Sequence, residues 1–361
     1  MDDSPMLLGV FSLWVAIAVL AYLVVRRLGW ARVKQRWLAA LVPAFLLAGL
    51  PGAAVLTITL PYRARILALV FRTKSPALDL GNGCSVFPAN NIWNTPVAGL
   101  PVDPHSAAYI ESMGAGLPLH ADFSTASGIP YSVTGGNQAA SLVTYGDGAA
   151  ESDAVPIPPN AVLEGGGQGD SHLLVVDRDA CRLYELYAAR RTGPQQWEAG
   201  SGAIFDLRSN ALRPEGWTSA DAAGLPIFPG LARYAELEGG HIAHALRFTT
   251  PRTRRAFTWP ARRYAASTTD ASLPPMGQRF RLRGSFDLQP FGMETRVFLT
   301  ALQEYGMMLS DNGGPWFITG APDSRWSSTL IRELRRIQGS DFEAVDVSSL
   351  MVDRNSAEAR Q

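Results

Sequence analysis

Lysine is nearly absent from this chain, and cysteine and histidine are scarce. Of 361 residues only Lys34 and Lys74 are lysines, two are cysteines and five are histidines. Two cysteines exclude a disulfide-dense scaffold and a four-cysteine zinc site. No GxGxxG opens a helix and no GxxxxGK[ST] occurs, so both nucleotide-binding signatures are missing. There is no GxSxG elbow, and no SxxK with a suitable partner motif, to support a serine nucleophile. The formal net charge is +0, from 32 Lys+Arg against 32 Asp+Glu, which argues against nucleic acid as a partner held by bulk positive charge. A hydrophobic fraction of 47% with only 18% charged residues excludes a disordered, solvating polymer.

The neutral balance averages two unlike parts. Before Ser75 nine cations face only Asp2 and Asp3, a charge of +7; from Ser75 onward 23 arginines face 30 acids, a charge of −7. Met6 to Val25 is an uncharged run of twenty residues, and a helix of that length, rising about 1.5 Å per residue, crosses a hydrocarbon core of about 30 Å. Trp37 to Leu60 is a second uncharged run, and its Pro43, Pro51 and Gly52 are tolerated in membrane helices. Residues 1–75 therefore read as a two-helix membrane anchor with spans at about 6–25 and 37–60, and the lipid bilayer is a partner. A cleaved signal peptide fits less well, because the leader lacks a basic n-region and the first apolar run is too long.

Five basic residues between Arg26 and Arg36 place the connector in the cytoplasm by the positive-inside rule, so the C-terminal part lies outside. Arg63, Arg65, Arg72 and Lys74 argue the other way; their segment reads either as an interfacial amphipathic helix or as a solvated linker. Cys84 and Cys181, far apart and without a CxxC, suit one disulfide in an oxidising compartment, the alternative being two unrelated buried thiols.

Residues 76–350 read as one mainly-β domain, an antiparallel sandwich or jelly-roll-like fold with two or so peripheral helices, followed by a frayed tail at 351–361. Short β-branched, aromatic and aliphatic runs predict strands at Ile129–Thr134, Ser141–Tyr145, His172–Asp177, Arg182–Ala189, Ala203–Leu207, Ile242–Thr249, Arg279–Arg283 and Phe342–Val347. Apolar spacing predicts helices at Glu294–Tyr305 and Ser327–Ile337, the second capped by Asp323 or Ser324.

Four histidines fall into patterns. His120 and Asp122 form HAD, Asp170 and His172 form DSH, and His241 and His244 flank Ile-Ala. Residues two apart in a strand share a face, so each His–Asp pair can set an imidazole beside a carboxylate, as a general base or metal ligand requires. His244 is the member of the last pair assigned to a substrate site. The stretch Gly200–Gly230 predicts a long irregular loop rich in acids, arginines and tryptophan. Within it Asp206, Glu215 and Asp221 are candidate acid and base, and Arg208, Arg213 and Trp217, with Trp197 just before, are candidate substrate contacts. The same loop also reads as a structural Ω-loop satisfying its own backbone. The Asp311–Trp316 stretch DNGGPW and the Asn90–Asn94 stretch NNIWN read as turn chemistry or as site lining.

The segments CSVFPANNIWN, DSHLLVVD, DLRSNALRPEGWTSADAAGLP, HALRFT and ALQEYGMMLSDNG together resemble a group of extracytoplasmic bacterial β-rich proteins with no assigned activity. The resemblance implies an exported β-rich domain and carries over no catalytic residue; the two spans add the expectation of a bacterial plasma membrane with the domain outside the cytoplasm. From these features the expected function is a carbohydrate-active enzyme, either a glycoside hydrolase or a polysaccharide lyase with His172 or a tyrosine as base and an arginine such as Arg208 neutralising the substrate carboxylate. A polysaccharide is then the partner, and no cofactor is implied beyond an optional divalent metal. The alternative is a non-catalytic envelope protein that binds glycan or protein.

Overall fold

The computed structural model describes residues 79–146 and 154–361. The two uncharged runs at 6–25 and 37–60 lie outside the described residues, and among the described residues no helix is long and apolar enough to cross a membrane.

The described chain is a mainly-β domain with mixed sheets and few helices. Strands are numbered in chain order. β1 (Asp79–Gly81) and β2 (Cys84–Ser85) form a short antiparallel pair. A six-stranded sheet runs in the order β16 (Phe342–Val345), β13 (Arg279–Leu282), β14 (Met307–Asn312), β12 (Leu246–Thr250), β15 (Phe317–Thr319), β3 (His120–Asp122). A four-stranded sheet runs β11 (Ser201–Asp206), β8 (Arg182–Tyr187), β7 (Leu173–Asp177), β4 (Tyr131–Thr134). A second runs β6 (Ala154–Val155), β5 (Ser141–Tyr145), β10 (Gln196–Ala199), β9 (Arg190–Gly193).

Every predicted strand has its counterpart, but pairing is not antiparallel throughout. β12 runs parallel to β14, β15 to β3, β4 to β7 and β5 to β10. Strand runs fix neither partner nor direction, because backbone hydrogen bonds form in either sense. The interior strands do carry a signature. β7 is Leu-Leu-Val-Val-Asp and β12 Leu-Arg-Phe-Thr-Thr, both buried at every position, as central strands covered on two faces must be. The edge strand β9 is Arg-Arg-Thr-Gly, with charge where pairing must stop.

Four α-helices are present among the described residues: α1 (Ser106–Met113), α2 (Tyr234–Glu238), α3 (Met293–Glu304) and α4 (Ser328–Leu334). The last two were expected; the cap of α4, however, is Ser327, whose hydroxyl accepts from the Leu330 amide at 3.1 Å. Asp323 instead holds Arg325 through its amide and guanidinium. α3 turns into β14 at Gly306, where φ is +66° and a Cβ would lie 2.1 Å from the Phe280 carbonyl oxygen.

Cys84 and Cys181 form the disulfide, linking β2 to the turn between β7 and β8. The tail also differs from the expectation of fraying. Ile92 donates to the Ala357 carbonyl, Ala357 to Asn210, Ala359 to Asn90 and Arg360 to Leu350, and the side chains of Ala357 and Ala359 are buried. Polar composition reports solvation, whereas order here follows from backbone groups that find partners.

Candidate functional site

β3 is the HAD triplet itself, so His120 and Asp122 point to one face of the six-stranded sheet. Register extends that face across four strands. His120 stands beside Phe317 and Asp122 beside Thr319. Thr249 stands opposite Phe317 and next to Asp311, and Arg247 lies two residues before Thr249 in the same strand. Contacts agree with the register: the His120 ring stacks on Phe317 at 3.9 Å between centroids, and Arg247 donates to the Thr319 hydroxyl at 2.7 Å. The opposite face carries Ala121, Phe248, Leu309 and Ile318, all core.

The long loop lies between this sheet and the one containing β8. Glu185 of β8 accepts the Ile227 and Phe228 amides, and on the other side Ala223 donates to Ser310 and Ala232 to Thr319. Glu185 is wholly buried, and burial lifts its carboxyl to about 7 against the pull of those amides. The loop so held sets Asp221 against Arg247, with nitrogen–oxygen distances of 2.9 and 3.0 Å. Both side chains are buried, and each supplies the opposite charge the other needs there. Asp311 completes the group at 3.5 Å from Arg247; burial first and Asp221 next push its carboxyl up to about 7.

From the other side comes His172, just before β7. Nδ1 is 2.5 Å from Glu164 Oε2 and Nε2 is 3.1 Å from the Ala220 carbonyl oxygen. The Ala220 carbonyl can only accept, so Nε2 carries hydrogen, and the short Nδ1–Glu164 contact binds the other nitrogen to a carboxyl. Burial alone would push the ring's pKa down, but the hydrogen bond and charge of Glu164 outweigh it and raise His172 above its usual range. Glu164 moves the opposite way: burial opposes ionisation, but His172 holds the carboxyl below its usual range. The Asp122 side chain makes no hydrogen bond with any described residue; burial pushes its carboxyl up, against the pull of His120 and with the push of Glu164. His120 is itself lowered, by burial and by Arg335.

His120, Asp122, Glu164, His172, Asp221, Arg247 and Asp311 thus form one electrostatically coupled cluster. Four of these, His120, Asp122, His172 and Asp221, were candidates from the sequence. Asp311 belonged to a stretch open to two readings, and Glu164, Arg247 and Glu185 were missed. The available signal for Arg247 and Glu185 was a charge inside an apolar strand, which burial makes costly unless a partner waits. Glu164, in a glycine-rich turn, carried no such mark.

The remaining candidates lie elsewhere. Asp170 is exposed, and Ser171 at φ +46° breaks the extended spacing that would have paired it with His172. Asp206 accepts the Arg208 amide, and Arg208 donates to the Ala180 and Asp179 carbonyls. Glu215 pairs with Arg354 on the surface. Arg213 is buried, donates to the Thr218 carbonyl and lies 5.5 Å over the half-exposed ring of Trp217. Trp197 is buried in the smaller core cluster. His244 is buried with Arg233 and Glu236, before β12 begins. Asn91 caps the turn at Ile92–Asn94.

Among the described residues no three His, Cys, Asp or Glu side chains are grouped as a metal ion requires. No protein-family model, curated protein or solved structure matches the chain.

Proposed function

We propose that this chain is a membrane-anchored, extracytoplasmic carbohydrate-active enzyme that hydrolyses an envelope or extracellular glycan, with Asp122 as general acid and Glu164 as the partner carboxylate. One observation carries the reading: two electrostatically coupled carboxyls are displaced in opposite directions, Asp122 up and Glu164 down. Such a pair supplies a proton donor and a carboxylate at the same pH, which glycoside cleavage requires. Glu164 Oε1 and both Asp122 oxygens have no hydrogen-bond partner among the described residues.

Asp122 gives its proton to the glycosidic oxygen as that bond breaks. Glu164, held by His172, takes a proton from a water as the water oxygen bonds to the anomeric carbon, so that one proton leaves Asp122 and one reaches Glu164 for each bond cleaved. Hydrolysis is favoured over elimination because both ring nitrogens of His172 are already engaged, by Glu164 and by the Ala220 carbonyl. The disulfide supports placement in an oxidising compartment, and the two uncharged N-terminal runs support the anchor.

The test is incubation of the purified protein with a panel of envelope and extracellular polysaccharides. New reducing ends without unsaturated products are expected, and Asp122→Asn or Glu164→Gln should lower the rate about 10²–10⁴-fold without changing the melting temperature by more than a few degrees. Absence of cleavage across the panel, with glycan still bound, would replace catalysis by the binding-protein reading.

A further inference from the structure

An open cleft of about 450 Å³ lies between α4 and the chain leaving β3, lined by Ser124, Thr125, Trp326, Ser328, Ile331, Arg332 and Arg335. We propose that this cleft is an anionic subsite and that the glycan taken by the adjoining cluster carries carboxylate, sulfate or phosphate groups. The inference rests on the reading of that cluster as a glycan site.

Three observations converge. First, the cleft adjoins the cluster: Ser124 follows Asp122 by two residues, at most about 7 Å of extended chain, and Arg335 acts electrostatically on His120. Second, neither of its cations forms a salt bridge among the described residues. The Arg335 side chain makes no hydrogen bond there, and the Arg332 guanidinium donates to the Thr329 hydroxyl, with Glu333 acting on it only electrostatically. The other surface arginines of this end are engaged, Arg325 with Asp323 and Glu238, and Arg336 with the Pro290 carbonyl and the Phe291 ring. Third, the cleft runs against the charge of its domain, which from Ser75 onward carries seven more acids than arginines. The Arg332 and Arg335 guanidinium groups, three residues apart in sequence, share this lining with Thr125 and Ser328 and offer donors suited to a flat or tetrahedral anion. Ile331 and the little-exposed Trp326 add apolar lining to the same cleft.

The experiment is calorimetric titration of the full-length Glu164→Gln protein, in which turnover is blocked, with oligosaccharides of equal length. The probes are a uronate oligomer, a sulfated oligomer, a phosphate-bearing oligomer and a neutral oligomer. At least one anionic probe is expected to bind at least tenfold more tightly than the neutral one, with affinity falling as salt rises. Adding Arg332→Gln and Arg335→Gln should remove that preference, and because both side chains are exposed the melting temperature should hold. The probe that binds identifies the anion. Equal affinity for neutral and anionic probes, binding of none, or a preference unchanged by the arginine substitutions would overturn the subsite. Cleavage of a neutral glycan lost in Asp122→Asn but indifferent to the arginines would overturn the subsite and leave the catalytic reading standing. Anionic binding that depends on the arginines, with no cleavage by the wild type, would do the reverse.

Discussion

His172 holds Glu164 by one ring nitrogen and the Ala220 carbonyl by the other, so its effect on chemistry is exerted through Glu164. Replacing it by Gln removes the cation that keeps Glu164 ionised. In the proposed hydrolase, where Glu164 sets the acid limb of the kcat/KM profile and Asp122 the alkaline limb, the acid limb should then move to higher pH while the alkaline limb stays. A role confined to packing would scale the whole profile and move neither limb. Stability carries the same signature. The Glu164 contribution is present above about pH 4.5, its unfolded value, and is lost as pH falls through its lowered native value. The His172 contribution is complete below about pH 6.5 and is lost as pH rises through its raised native value. Melting curves of wild type and His172→Gln should therefore differ most between about pH 4.5 and 6.5 and draw together only as pH passes below the lowered Glu164 value or above the raised His172 value.

Of the groups in this cluster, His120 and Asp122 were readable as a pair because a three-residue strand keeps its alternation whatever it pairs with. Asp170 and His172 were not, since one residue at positive φ undoes the same spacing. Arg247 and Glu185 become meaningful only when their partners, Asp221 and the Ile227 and Phe228 amides, are brought from 26 and about 42 residues away.

The C-terminal strap is the element whose character differs most from its composition. Residues 354–361 are polar, yet their backbone joins Asn90, Ile92, Asn210, Leu212 and Leu350. Five backbone hydrogen bonds at about 0.5–1.5 kcal/mol each predict that deleting 354–361 costs about 3 kcal/mol or more. Chemical denaturation of the truncated chain measures this; an unchanged midpoint would mean the strap adds nothing. The long loop shows the converse. Its acids looked equivalent in sequence, but the Ser219 hydroxyl accepts from the Asp221 amide and donates to the Leu225 carbonyl, turning Asp221 inward, whereas Asp206 and Glu215 are left on the surface.

The disulfide spans 97 residues and ties the chain entry to the sheet bearing His172. Closing a loop of that length should stabilise the fold by about 3–5 kcal/mol, so reduction or the double change Cys84→Ala and Cys181→Ala should lower the denaturant midpoint accordingly. Topology has its own measurement: protease added to intact spheroplasts should cut the β-domain, and full protection would reverse the proposed orientation.

Composition and periodicity sufficed for the charge partition, the strand-rich class, the two later helices and the sulfur pair, because each depends on local spacing or on a count. Pairing direction, the binding of the tail, and the gathering of Asp122, Glu164 and Arg247 into one cluster that leaves out Asp206 and Glu215 depended on the folded chain. A carboxyl acquires its proton affinity from burial and from charges brought to it across the sheets, and neither is a property of its neighbours in sequence.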